Sequence, residues 1–329
     1  MYKATIALDA MGGDHGPENL VLGAARVADE GIEIVLVGDE SQLSPLVDQV
    51  DADLQIVHAS DVIEMTDDPA RALRQKKDAS VLVAAKLVAS GEVGGFVSTG
   101  STGATMAAAA LVIGRFKGIG RPALATLFPH GPILLDGGAN VQVRPEHLIQ
   151  FAIMGSALAQ SHNDIEEPRI GLLNIGTEDS KGRDLEKETL GLLRETAGIN
   201  FIGNVEGTDL IGGTVDVFVT DGFTGNVVLK TSEAIAKLVL GLVLQTVTDL
   251  HLDDGDRVLD ALKDLANGLA VDENGGAPLL GTKGVAVVAH GSSNVAAVAS
   301  ACRLAAEGVA TDLPGHIEKG LAQMGALAG

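Results

Sequence analysis

The 329-residue sequence predicts a three-layer, doubly wound α/β fold around a mostly parallel sheet. Three observations predict it. Short, continuously apolar runs of strand length alternate with longer stretches of helical spacing, as units of strand, helix and strand covered on both faces require. Glycine supplies 42 of 329 residues, against a usual share of about 7%, and it gathers at the ends of the apolar runs, where the chain must turn. The core must be built mostly from Val, Ile, Leu and Ala, because the chain holds 7 Phe, 1 Tyr and no Trp.

Taken in order, the expected strands are Ala4 to Leu8, Ile32 to Val37, Leu54 to Val57, Gly95 to Val97, Ile133 to Leu135, Ile170 to Ile175, Val215 to Thr220 and Val285 to Ala289. The first run breaks at Gly12-Gly13-Asp14, too early for a signal peptide. Helix starts are marked by Pro17-Glu18, by Pro145-Glu146 and by Asp184 ahead of Leu185 to Leu193. Val93 to Gly114 carries no charge and is long enough to span a bilayer. Its polar turn Ser98-Thr99-Gly100-Ser101-Thr102-Gly103 makes it strand, turn and buried helix instead. No linker or repeat divides the chain, which reads as a single α/β catalytic domain over 1–329, with a helical segment at about 232–269. There Ala234 to Val247 is apolar nearly all round, so the helix is either buried in its own domain or packed on a second subunit. An acidic connection, Asp253-Asp254-Gly255-Asp256, follows. Cys302, alone in an Ala-rich stretch, reads as a small helix residue in a reducing compartment.

The 23 Lys and Arg against 44 Asp and Glu give a formal charge of −21. That excludes a nucleic-acid wrapper, which needs a basic footprint, and scarce aromatics argue against base stacking. Against this balance, Arg71, Arg74, Lys76 and Lys77 form a local basic face. It is either a solvated helix side or a dock for an acidic partner or phosphate.

The phosphate loop G-x-x-x-x-G-K-S/T, H-E-x-x-H, G-x-S-x-G and paired C-x-x-C are absent, and no G-x-G-x-x-G follows the first strand. What remains is a set of Gly, hydroxyl and amide clusters at the carboxyl ends of predicted strands, where open α/β sheets bind ligands. They are Asp9 to His15 (with Gly12, Gly13 and Asp14), Ser98 to Gly103 (with Ser101 and Thr102), Leu135 to Asn140, Asn174 to Gly182, Gly203 to Gly207 (with Asn204), Thr220 to Asn226 and Ala289 to Asn294 (with Ser292). If the sheet is parallel throughout, all seven share one rim and line one polar crevice. Its donors (Lys181, Asn140, Asn204, Asn226, Ser292), its imidazole (His290) and its carboxylates (Asp14, Asp136, Asp221) suit an anionic ligand and charge developing on oxygen. No serine is paired with a base, so direct transfer between two bound substrates is expected. Asp136 and Asp221 could hold Mg²⁺ or be bonded into turns; the expectation is no metal and no cofactor.

In this order the motifs DAMGGDHGPE (from Asp9), DDPARALRQKKDAS (from Asp67), STGSTGA (from Ser98), GGANVQVRPEHL (from Gly137), GLLNIGTEDSKG (from Gly171), FIGNVEG (from Phe201), TDGFTGNVVLK (from Thr220), GGAPLLG (from Gly275) and AHGSSN (from Ala289) resemble, over essentially the whole chain, the bacterial PlsX family of phosphate acyltransferases. The resemblance implies a sheet like that of isocitrate dehydrogenases and phosphotransacetylases, and a homodimer. It implies transfer of a long fatty acyl group from acyl carrier protein to inorganic phosphate, giving acyl phosphate for a membrane glycerol-3-phosphate acyltransferase. It places the enzyme in the cytoplasm, with peripheral membrane attachment left open. On matched positions, Lys181 and Asn226 would hold phosphate or the oxyanion, and His290 or Asp221 would orient groups or protonate the thiolate. Gly12, Gly13, Asp14, Ser98, Ser101, Thr102, Asn140, Asn204 and Ser292 would bind phosphate or thioester, and Arg71, Arg74, Lys76 and Lys77 would dock the acidic carrier protein or guide phosphate. Ser101 and Gly137 depart from the family's usual residues. Leu250 to Asp260 holds four Asp and one Arg where relatives can be basic and hydrophobic. A phosphotransacetylase-like enzyme acting on acyl-CoA, and a non-catalytic fatty-acid or phosphate binder, are the alternatives.

Overall fold

All eight apolar runs form strands, and apart from Leu54 to Val57 at the sheet's edge they are largely buried, as a run apolar on both faces between two helical layers must be. They are β1 (Thr5–Asp9), β2 (Glu33–Gly38), β3 (Gln55–His58), β4 (Gly95–Ser98), β6 (Ile133–Leu135), β7 (Arg169–Leu173), β9 (Val217–Val219) and β11 (Val285–Val288). Three further strands stand outside the expected runs: β5 (Ala123–Leu127), itself an apolar and buried run, β8 (Asn200–Val205) and β10 (Ala277–Leu280). β10 carries Pro278 inside it, and β8, at the sheet's edge, is exposed at alternate residues. The computed structural model describes residues 4–128, 131–250, 255, 257–262 and 276–325.

The strands join in one eleven-stranded sheet ordered β3-β2-β1-β4-β11-β10-β5-β6-β9-β7-β8. β3, β2, β1, β4 and β11 are mutually parallel, as are β6, β9, β7 and β8. Between them β11–β10, β10–β5 and β5–β6 are all antiparallel. Three reversals make the two parallel halves run in opposite directions. The expectation of a single rim is therefore corrected: turns that end β1, β4 and β11 leave one edge of the sheet, and those that end β6, β7, β8 and β9 leave the other.

Helices α1 (Gly16–Ala28), α2 (Glu40–Val47), α3 (Pro69–Gln75), α4 (Ser80–Ser90) and α5 (Thr102–Ala108, widening into a π turn over Ala109–Ile113) cover the first half together with α9 (Val295–Ala310). Leu20, Val21 and Ala24 of α1 meet Val298, Ala301 and Cys302 of α9 in one buried cluster. Gly23 lets the two helices approach closely, since a Cβ there would stand 2.6 Å from Val298. On the opposite face Leu82, Ala85, Ala104 and Ala108 pack against Phe96. The span Val93 to Gly114 is thus strand, turn and buried helix. In the second half α6 (Pro145–His162), α7 (Asp184–Glu195) and α10 (Leu313–Gly325) bury Phe151, Met154, Leu193 and Ile317.

Helix α8 (Gly222–Asp249) is the exception. Ile235, Leu238, Val239 and Leu242 are 53–61% exposed, so the alternative that this helix is buried in its own domain fails. The acidic connection after it lies, Gly255 apart, outside the described residues. Among the described residues no helix is long and apolar enough to cross a membrane.

Candidate active site

The second-half edge is built around Asp136, which is fully buried. Its Oδ1 accepts from the backbone N–H groups of Leu124, Gly138 and Ala139 at 2.9–3.1 Å, and its Oδ2 from the Asn140 backbone and side chain at 2.7 and 2.8 Å. Five donors folding onto one carboxylate fix the turn after β6. Asn140 gives its amide hydrogens to Pro122 O and Asp136 Oδ2, and so builds this turn. The start of α8 is pressed on the same turn: Gly222 N–H donates to Asn140 O at 2.8 Å, and a Cβ at Gly225 would lie 1.9 Å from Asp136 O. No other residue fits at 225.

Asp221 caps α8 by accepting from Thr224 N–H at 2.7 Å, and its Oδ2 accepts from Arg183 at 2.5 Å. With 3% exposure and both oxygens engaged, Asp221 is an anchor for the helix. One turn later Asn226 lies over Gly138, whose absent Cβ would stand 3.5 Å from it. The Asn226 amide has no hydrogen-bond partner among the described residues.

The loop after β7 folds on Asn174, which accepts from Ile175 N–H at 2.8 Å and donates to Lys181 O at 3.3 Å. Gly182 is left-handed there (φ +89°) and presses on that same side chain. Asn204, from β8, donates to Glu178 O at 3.1 Å, while its Oδ1 is buried without a partner. The Lys181 Nζ, by contrast, has only a long 3.9 Å contact with Glu178 and is 44% exposed. Two donors on neighbouring strand ends, Lys181 and Asn226, are thus free for a ligand, whereas Asn140 and the amide nitrogen of Asn204 are occupied.

The first-half edge gathers the other candidates. Ser98 Oγ donates to Asp9 Oδ2 at 2.7 Å and accepts from Gly100 N–H at 3.1 Å. Burial pushes the Asp9 carboxyl above its usual range. Gly12 and Gly13 serve contact between turns: a Cβ at Gly12 would stand 2.6 Å from Gly100 N, and one at Gly13 2.8 Å from Thr99 Oγ1. Asp14 N–H donates to Gly291 O at 2.7 Å. The expectation that no serine is paired with a base is corrected here, since His290 Nδ1 pairs with Ser292 Oγ at 2.7 Å and accepts from Ser292 N–H at 3.3 Å. Ser101 and Thr102 open α5 without side-chain partners.

Of the basic face, Arg71, Arg74 and Lys77 are exposed. Lys76 turns inward to donate to Val62 O and Asp67 Oδ2, both at 2.6 Å. Lys86, exposed on α4, donates through Nζ to Lys77 O at 2.9 Å. Helix α3 abuts the first-half turns, because Pro69 sits 2.9 Å from where a Gly103 Cβ would be.

Sequence reasoning missed Arg183, whose side chain bridges Asp221 and Glu186. The legible part of its signal is the Arg-x-x-Glu spacing at the start of α7. The partner 38 residues away is not written locally.

Residues 4–315 match the model of the fatty acid synthesis protein family. The chain is 46% identical over 325 residues to a phosphate acyltransferase of Desulfitobacterium hafniense, covering 96% of this chain and 97% of that one. It is 44% identical over 322 residues to the phosphate acyltransferase of Bacillus subtilis, with coverage of 95% and 97%. Among solved structures it is similar in fold to a phosphotransacetylase from Streptococcus pyogenes (TM-score 0.67, 18% identity, 93% and 94% covered). A 4-hydroxythreonine-4-phosphate dehydrogenase from Burkholderia phymatum is more distant in fold (TM-score 0.55, 14% identity, 93% and 98% covered). With its sheet, its turn motifs and these full-length relatives in agreement, the chain belongs to the phosphate acyltransferase family of fatty acid and phospholipid synthesis, the PlsX family.

Proposed function

We propose that the protein transfers a long-chain fatty acyl group from acyl carrier protein to inorganic phosphate, acting as a single catalytic unit over its whole length. The observation that carries this reading is a pair of donors on a turn system otherwise closed on itself: Asn226, and Lys181, whose Nζ has only a long 3.9 Å contact with Glu178. A phosphate oxygen attacks the thioester carbonyl carbon, the carbon–sulfur bond breaks, and the proton of hydrogen phosphate ends on the leaving thiol. Lys181 and Asn226 neutralise the phosphate and the oxyanion as charge develops, where fixed donors are most effective. Asp221 positions α8. His290 follows β11 at the opposite edge of the sheet and takes no part in this step.

Arg71, Arg74, Lys77 and Lys86 receive the acidic carrier protein beside the first-half turns. The exposed apolar face of α8 joins a second copy in a homodimer, with about 232–269 as the dimerisation segment. The product, an acyl phosphate, is consumed by a membrane glycerol-3-phosphate acyltransferase, which favours a cytoplasmic enzyme with peripheral attachment.

The test compares palmitoyl carrier protein with palmitoyl-CoA as donors and includes Lys181→Ala. Carrier-dependent turnover that falls about 10²-fold in the variant is expected. Turnover with CoA alone would assign a phosphotransacetylase-like activity, ligand binding without turnover a binding role, and an unchanged kcat in Lys181→Ala would reject the role of that lysine.

A further inference from the structure

Lys181 and Asn226 reach the site from separate elements, the β7–α7 loop and the first turn of α8. Their relative placement must be fixed by something that touches both. Among the described residues the hydrogen bond that joins the two elements is Arg183 to Asp221. Arg183 is two residues from Lys181, and Asp221 is the cap of the helix that carries Asn226.

The geometry around Arg183 is a fork. Its Nε donates to Glu186 Oε1 at 2.9 Å, and its Nη2 donates to both Glu186 Oε1 and Asp221 Oδ2. Glu186 Oε2 returns to the Arg183 N–H at 2.7 Å, closing the start of α7. Both carboxylates are nearly buried, with Glu186 6% and Asp221 3% exposed. Each of them is committed locally as well, Glu186 to α7 and Asp221 to α8. One planar guanidinium therefore clamps two helix starts, a task a lysine ammonium performs poorly because it lacks the rigid fork. Glu186 first, and Asp221 with it, hold the guanidinium protonated well above its ordinary range.

We propose that Arg183 is a positioning residue for phosphate acyl transfer: by clamping Asp221 to Glu186 it sets Lys181 against Asn226 at the spacing that phosphate requires. The inference rests on the reading of Lys181 and Asn226 as the phosphate and oxyanion donors. A misplacement of about 1 Å at such a site costs about 10²-fold in rate.

The test is steady-state kinetics of Arg183→Gln, Arg183→Lys, Lys181→Ala and the double variant Lys181→Ala/Arg183→Gln, with phosphate and acyl donor varied separately. Thermal unfolding of each confirms that the folded enzyme is assayed. The expected result is a fall of about 10²-fold in kcat/KM for phosphate in Arg183→Gln, with the KM for acyl donor unchanged. Arg183→Lys recovers part of that loss, and in the double variant Arg183→Gln costs much less than it does alone, because only Asn226 is left for the clamp to position. Should Arg183→Gln not fold, Arg183→Lys with and without Lys181→Ala carries the same comparison. A folded Arg183→Gln with wild-type kinetics, or losses that multiply in the double variant, would overturn the positioning role while leaving the site intact. Wild-type turnover in Lys181→Ala would overturn the reading of the site and this inference with it.

Discussion

Replacing Asp136 by Asn changes one atom, and the structure says which hydrogen bonds that atom carries. The retained carbonyl can still accept from Leu124, Gly138 and Ala139. The new amide nitrogen takes the place of Oδ2 and faces two donors, the Asn140 backbone N–H and its Nδ2. Rotating the Asn140 amide to offer its oxygen would restore one contact, but its bond to Pro122 O would be lost. Two buried donors are left unsatisfied, each worth about 1–3 kcal/mol, so the variant should be destabilised by about 2–6 kcal/mol. Against a typical total of about 5–15 kcal/mol that is a large share. Differential scanning calorimetry should show a midpoint roughly 3–9 °C lower. Activity should fall too, since the turn seats α8 and Asn226. A midpoint within about 1 °C of wild type, with full activity, would refute the claim that Asp136 organises this edge.

Other outcomes follow from buried groups. Desolvation raises the folded-state pKa of Asp9 above its ordinary value of 3.8. The native state then holds the proton longer than the unfolded chain, so this group's contribution weakens stability as pH rises from about 4 through the folded pKa. Asp9→Asn should remove that decline, measured as urea unfolding against pH; a decline of unchanged slope would contradict it. Burial pushes the Cys302 thiol up to about 12, so it should resist a thiol reagent at pH 8 until the protein unfolds. Modification of the native enzyme within seconds would show that α9 opens or the thiol is exposed.

How much was legible depended on whether the signal was local. A strand buried on both faces announces itself by composition, which is why Ile6, Leu36, Val97 and Val287 lay in expected strands. β10 was hidden by Pro278, and β8 by an edge position that tolerates polar residues on alternate sites. The direction of a strand leaves no trace in its own residues. The reversal between the two halves, set by β10, β5 and β6, therefore turned the expected single rim into two edges. At the site, residue type located the turns but not their hydrogen-bond partners. Asn140 and Asn226 look equivalent as sequence. Only the fold shows that one amide is closed in a turn while the other is free. Lys76, expected on the basic face, turns back to Asp67 for the same reason. The apolar surface of α8 was plain from its residues. Which side of it met protein was not.

The central claim, that phosphate itself is the acyl acceptor at this site, is tested most directly by single turnover of palmitoyl carrier protein with phosphate labelled with heavy oxygen at all four positions, the intact product being weighed by mass spectrometry. The account predicts no thioester loss without phosphate, and with it an acyl phosphate whose bridging oxygen carries the label, with no acyl adduct on the protein. Thioester loss without phosphate, or an acylated protein that forms before the product, would contradict it.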